Sequence, residues 1–135
     1  MSKPKKTLNL RKELENYYHT SSIKSERCYI DSKWWYIQTL INYVKDNKSP
    51  EYDLQLDSVD LGVMPWSMKT ILHFIQHSID IENVTFRYPV IVSPSGWVLN
   101  GWHRIIKAIL TNKTSIKAVR ILDMPQHDGI DTKEN

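Results

Sequence analysis

Residues 88–122 read YPVIVSPSGWVLNGWHRIIKAILTNKTSIKAVRIL, and this pattern decides the fold. Tyr88-Pro89-Val90-Ile91-Val92 is a compact apolar run whose β-branched residues suit a buried strand. Ser93-Pro94-Ser95-Gly96 is a four-residue turn, and Trp97-Val98-Leu99 a second short strand. Asn100-Gly101 opens a turn into Trp102-His103-Arg104. Ile105, Ile106, Ala108, Ile109 and Leu110 then predict a buried helix, ended by Asn112 and Lys113. Ser115 to Leu122 alternates like a strand. Val90, Val92, Val98, Ile105, Ile109, Val119 and Ile121 are expected to form one core.

Upstream, Leu54 and Leu56, then Val59 and Leu61, predict a short strand with a bulge or turn at Asp57-Ser58. Met68, Ile71, Leu72, Ile75 and Ile79 recur at three and four, so residues 66–79 read as an amphipathic helix. Residues 51–123 thus form one domain. Before it, residues 1–50 read as a helical extension. A first helix runs from Leu8 to Tyr18 on Leu10, Leu14, Tyr17 and Tyr18, capped by Thr7 or Asn9. A polar connection follows over residues 19–29. A second helix starts at Asp31 or Ser32, with Trp34, Ile37, Leu40, Ile41 and Val44 as its apolar stripe. That stripe is expected to pack on the sheet domain or on a second copy of the chain. The first seven residues, and the polar tail over 124–135, are expected to be flexible. The fold class is α+β: a small mixed β-sheet with packed helices, plus the N-terminal helical extension.

With 135 residues, 41% hydrophobic and 24% charged, the chain has ordinary globular usage. That excludes a fibre, a coiled coil and a wholly disordered chain. No run of eighteen apolar residues is present, and MSKPKKTLNLRK has no apolar core, so neither a membrane span nor a secretory signal is expected. The lone Cys28 excludes an internal disulfide and a multi-cysteine zinc site, and fits a reducing, cytoplasmic setting. Charge is uneven. Residues 1–50 carry ten Lys/Arg against five Asp/Glu, and residues 51–135 carry eight against ten. A basic front half either steers toward nucleic acid or another anionic partner, or is simply a solvated surface.

The chemistry concentrates at Asn100-Gly101-Trp102-His103-Arg104. Glycine permits a sharp turn and close approach of a ligand. The helix starting there presents free N–H groups and the positive end of its dipole. Cationic side chains in that first turn oppose the dipole, and a docked phosphate would satisfy them and the N–H groups together. The competing reading pairs Arg104 with Asp57 or Asp60 and leaves His103 as a packing residue.

The order strand, turn, strand, Gly-x-His-Arg, helix, strand resembles the core of the ParB/sulfiredoxin superfamily, over roughly residues 53–122. The resemblance implies a nucleotide- or phosphate-binding domain, with Gly101, His103 and Arg104 on the phosphates and Asn100 and Trp102 in the same turn. It implies a nucleoside triphosphate, ATP or CTP, with Mg²⁺ as cofactor. If the chain is an enzyme, phosphoryl transfer or NTP hydrolysis is expected, with Asp57 or Asp60 holding the metal or acting as base. The departures are specific. Trp102 stands where sulfiredoxin has its catalytic cysteine and where chromosome-partitioning relatives have a glutamate tied to CTP hydrolysis. Asn100 replaces an aspartate of the serine kinase branch. The alternative function is a non-catalytic module that meets nucleic acid or a protein partner, DNA included, through the basic aromatic front half.

Other side chains carry less. His73 and His77, four apart, have no third metal ligand at a readable spacing, so no metal site is expected. Trp34, Trp35, Tyr36, Trp97 and Trp102 serve either as core or as stacking platforms for bases. Ser93, Ser95 and Cys28 have no base at a nucleophile's spacing.

Overall fold

The computed structural model describes residues 9–18 and 26–131. The Thr7 cap, the Lys-rich first seven residues, the side chains of Tyr17 and Tyr18, most of the polar connection and residues 132–135 lie outside the described residues. The fold is α+β, with two small sheets and four α-helices among the described residues.

The decisive stretch folds as read. Strand β4 (Val90–Val92) is followed by a turn, strand β5 (Val98–Asn100), helix α4 (Trp102–Leu110) and strand β6 (Ser115–Arg120). The turn closes by Ser93 N–H donating to Trp97 O at 2.8 Å and Gly96 N–H to Ser93 O at 3.0 Å, with Gly96 at φ 97°. The fully buried Ser93 hydroxyl accepts from Trp97 N–H, so it is a turn-packing residue. Strand β3 (Glu51–Gln55) pairs antiparallel with β6, β6 lies parallel to β4, and β5 closes the sheet, in the order β3-β6-β4-β5. The β5–α4 crossover is what allows β4 and β6 to run parallel.

Upstream elements depart from the periodicity. Strand β3 stops at Gln55, and Leu56–Ser58 form a 3-10 turn, so Val59 and Leu61 do not continue a strand. Helix α3 spans Ile71–Asn83 rather than 66–79. Thr70 sets its start: the Oγ1 accepts from His73 N–H at 3.1 Å. The buried face carries Gln76 and Ile79, while Ile71 and Leu72 are exposed. Helix α1 (Leu10–Tyr18) is capped by Asn9, whose Oδ1 accepts from Lys12 N–H at 3.1 Å. It docks on α3 through Arg11, which pairs with Glu82 at 2.5 Å.

The extension is helical at its two ends and a hairpin between them. Strands β1 (Arg27–Ile30) and β2 (Lys33–Tyr36) pair antiparallel around Asp31-Ser32, and helix α2 (Ile37–Asp46) begins only after Tyr36. Asp31 and Ser32 therefore make a turn instead of a helix N-cap. Asp31 takes φ 58°, a conformation that Asp tolerates better than most residues. Strand alternation buries Trp35 at 4% exposure and leaves Trp34 on the opposite face, outside the helical stripe proposed for it. The segment after Asp123 is no free tail up to residue 131: β7 (Gly129–Ile130) adds to β2, giving a second sheet ordered β1-β2-β7. The Trp34 ring crosses Gly129 so closely that a Cβ there would sit 2.3 Å from it.

The expected single core is two, one on each face of the four-stranded sheet. Val90, Val92, Ile105, Ala108, Ile116 and Ala118 form the α4 side, joined by Val98 and Ile109. Val119 and Ile121 face the other way, where they meet Trp35, Leu40 and Ile91 with Ile41 and Val44. Alternation along β6 requires this split, because adjacent residues point to opposite faces. The front half thus covers the sheet of its own chain.

Candidate functional site

Gly101 caps α4 at φ 118° with no side-chain hydrogen bond. A Cβ there would lie 2.9 Å from Val90 Cγ2 and 3.2 Å from Val90 Cα, so the glycine lets the helix start press on β4. Ile105 N–H donates to Gly101 O at 3.0 Å, the first helical bond. The amides of Trp102, His103 and Arg104 precede it and have no carbonyl within the helix.

The two cationic side chains of this turn do other work. Arg104 is 8% exposed, and its Nη1 donates to Tyr88 O at 2.6 Å and Pro89 O at 3.2 Å. It anchors α4 to the segment entering β4. His103 Nε2 lies 2.8 Å from His77 Nδ1 on α3, one ring donating and the other accepting. Trp66 stacks over both rings, with centroids 4.1 Å from His77 and 4.6 Å from His103. Burial, then the neighbouring His77 and Arg104, push His103 down to about 4. Burial also lowers His77. His103 is therefore neutral at pH 7, and the clash between a cation and the helix dipole does not arise there.

Burial and hydrogen bonds thus engage Arg104 Nη1 and His103 Nε2, on the two side chains expected to grip a phosphate. Of the competing reading, the Arg104 pair is not found, since its Nη1 bonds go to backbone carbonyls and not to Asp57 or Asp60, whereas His103 does pack, bonded to His77 under Trp66. His73 Nδ1 accepts from Lys69 N–H at 3.3 Å, while His77 Nδ1 faces His103. Among the described residues no group of three His, Cys, Asp or Glu is placed to hold a metal ion. Burial raises the Cys28 thiol to about 11, so it stays protonated and unreactive at neutral pH.

A cleft of about 230 Å³ lies on the α4 face of the sheet. Its lining includes Tyr52 from β3, Ser58 and Asp60 from the following loop, Trp97 beside the β4–β5 turn, Trp102 at the start of α4 and Arg120 at the end of β6. Trp102, the first residue of α4, is part of that lining and also packs against the α4-side core. Arg120 Nη2 donates to Pro94 O at 2.8 Å, which steadies the guanidinium beside the turn. Asp60 Oδ1 accepts from Gly62 N–H at 2.8 Å, which fixes the carboxylate. Aromatic walls, a cation and a carboxylate on one rim suit a ligand with a flat ring and an anionic group.

Of the residues singled out in the sequence, the structure brings Asp60 and Trp102 together here. Asp57 is exposed in the 3-10 turn and is not part of this lining. Asn100 pairs with Ile91 in the sheet, and Gly101 packs on Val90. Mg²⁺ is commonly held by one or two carboxylates beside substrate phosphates. Asp60, the only carboxylate lining the cleft among the described residues, meets that minimum. Sequence reasoning missed Arg120 and Tyr52. The alternation Ile116, Ala118, Arg120 carried the signal, since it puts the arginine on the same face as α4.

A second surface lies on the outer face of the β1-β2-β7 sheet. The Arg27 guanidinium sits 3.7 Å over the Trp34 ring and 5.7 Å from that of Tyr36, with Tyr29 half exposed beside them. Comparison with protein-family models, with curated proteins and with solved structures finds no match to this chain.

Proposed function

We propose that the chain is a nucleotide-binding protein of ParB/sulfiredoxin-like architecture, whose ligand occupies the cleft bordered by Trp97, Trp102, Arg120 and Asp60. The element order strand, turn, strand, Gly turn, helix, strand, with its first and last strands parallel at the centre of the sheet, supports the architecture. The observation that carries the function is a cleft that gathers two tryptophans, an arginine and a carboxylate, with Trp102 the first residue of α4. A base stacks on the indole rings, and the phosphates meet Arg120 and the amides of residues 102–104. The turn contributes main chain where the resemblance implied side chains. Asp60 would hold Mg²⁺ or a ligand donor. A lone exposed carboxylate supports binding more strongly than turnover, so phosphoryl transfer or hydrolysis is the weaker part of the reading.

Titration calorimetry with ATP, CTP and GTP, with and without Mg²⁺, tests the proposal. Saturable binding that quenches tryptophan fluorescence and falls at least tenfold in Arg120→Ala is expected. Absence of binding by every nucleotide removes the reading. The Arg27–Trp34–Tyr36 stack favours a second reading, in which the front half meets single-stranded nucleic acid. Salt-dependent retardation of an oligonucleotide that is lost in Arg27→Ala would support it.

A further inference from the structure

We infer that the cleft selects guanine, with Asp60 as the base-reading residue; this rests on the nucleotide reading above and narrows it. The ligand class follows from hydrogen-bond complementarity. An ionised carboxylate is an acceptor only. Guanine alone among the common bases offers two adjacent donors on its Watson–Crick edge, the ring N1–H and the exocyclic amine. Adenine and cytosine each place an exocyclic amine next to a ring nitrogen that accepts, and that lone pair repels a carboxylate. Uracil offers one ring N–H between two carbonyl oxygens.

The structure gives Asp60 the features a base reader needs. Asp60 lines the same cleft as Trp97 and Trp102. The Gly62 N–H holds Oδ1 at 2.8 Å, so the group is oriented before a ligand arrives. Gly62 packs tightly there: a Cβ on it would stand 3.2 Å from the same Oδ1. A carboxylate oxygen has two lone pairs, so Oδ1 keeps one acceptor site and Oδ2 both of its own. The two fork positions match the two guanine donors. No ion pair joins Asp60 to Arg120 or to another cation among the described residues, so the acceptor sites are not spent on one. Arg120, on a different strand from the Asp60 loop, is left for the phosphates. This selection departs from the ATP or CTP implied by the family resemblance, and it depends on residues outside the Gly-x-His-Arg motif.

The test measures GTP, ATP, CTP and xanthosine triphosphate binding, with Mg²⁺, to the full chain and to Asp60→Asn. Xanthine carries a carbonyl where guanine has its amine, so an asparagine amide complements it and a carboxylate does not. GTP is expected to bind at least tenfold more tightly than ATP or CTP. Asp60→Asn should lose at least tenfold for GTP and gain a similar factor for xanthosine triphosphate. Asp60 is exposed, and unchanged circular dichroism and urea midpoint should show that the variant folds. Equal affinity for all bases, or GTP binding indifferent to Asp60→Asn, overturns guanine selection while leaving the nucleotide cleft standing. Binding of no nucleotide overturns both. Loss of GTP binding in Asp60→Asn with no gain for the xanthine nucleotide assigns Asp60 to the metal or the phosphates and also overturns base reading.

Discussion

Replacing Arg104 by methionine should cost the fold about 3 kcal/mol. Methionine keeps much of the buried volume and removes the charge and the donors. Two hydrogen bonds from a cation then disappear, one at 2.6 Å and one at 3.2 Å. A bond to a charged group is worth about 1.5–3 kcal/mol, and the longer one falls at the low end. Removing them also leaves the Tyr88 and Pro89 carbonyls to find water at a site where Arg104 is 8% exposed, which raises the loss. Desolvation of the guanidinium, which burial disfavours, works in the opposite direction and keeps the sum near the middle of the range. In a chain of this size 3 kcal/mol corresponds to a fall in Tm of about 10 °C. Urea unfolding followed by far-ultraviolet circular dichroism reads it directly, with Arg104→Lys as the intermediate case because an ammonium still reaches a carbonyl. A midpoint unchanged in Arg104→Met would refute the anchoring role. If such a variant stayed stable and yet lost nucleotide affinity, the cationic phosphate grip would be restored.

Three further outcomes are expected. Gly101→Ala should destabilise by about 2 kcal/mol or more, since φ 118° is costly for alanine and its Cβ would meet Val90 Cγ2 at 2.9 Å; a thermal melt checks it. Because the His103 folded value, about 4, lies below its unfolded value, its contribution is complete above about pH 6.5 and is lost as pH falls toward 4. Partial solvation limits that loss to about 2 kcal/mol, and His103→Gln should flatten the urea midpoint against pH across this window. Trp35→Ala should cost about 3–5 kcal/mol, because it empties a core site and leaves Pro125 O without the indole N–H that reaches it at 2.9 Å; a loss below 1 kcal/mol would mean that the hairpin is an accessory to the core.

Where two local signals agreed, the sequence was legible. Residues 90–120 combine strand alternation, a Pro-Ser-Gly turn, a glycine before a helical stripe and a second alternation, and every element appears in the order those signals give, with strand ends moved by a residue or two. Residues 31–44 were harder. Trp34, Ile37, Leu40, Ile41 and Val44 satisfy helical spacing, yet the consecutive aromatics Trp34-Trp35-Tyr36 suit a strand equally well. Tertiary packing broke the tie. As a strand, the segment buries Trp35 against Ile91 and Val119 and accepts β7 on its other edge. That partner lies about ninety residues downstream, in a polar stretch with almost no strand signal of its own. The α3 boundary was missed for a local reason: the Thr70 cap overrides the apolar spacing that continues back to Met68.

The candidate site shows how far a motif can be read as chemistry. Gly-x-His-Arg at a helix start advertises an anion site because its donors look unspent. In this chain each of the three residues has a structural contact. Gly101 admits Val90, His103 shares a proton with His77 under Trp66, and Arg104 ties down the chain before β4. Lys107, one turn on, donates to Glu82 O and Val84 O and closes the end of α3. The polar face of α4 is therefore a clamp that holds α3 and β4 in place. What remains for a ligand is the main chain of the first turn and whatever the neighbouring strands bring to it. Arg120 reaches the cleft by the pairing of β6 with β4, and Asp60 by the loop after β3, so the proposed binding chemistry depends on sheet order more than on the motif. Variants therefore separate the two roles: changes at positions 101, 103 and 104 should move stability first, and changes at 60, 102 and 120 should move affinity first.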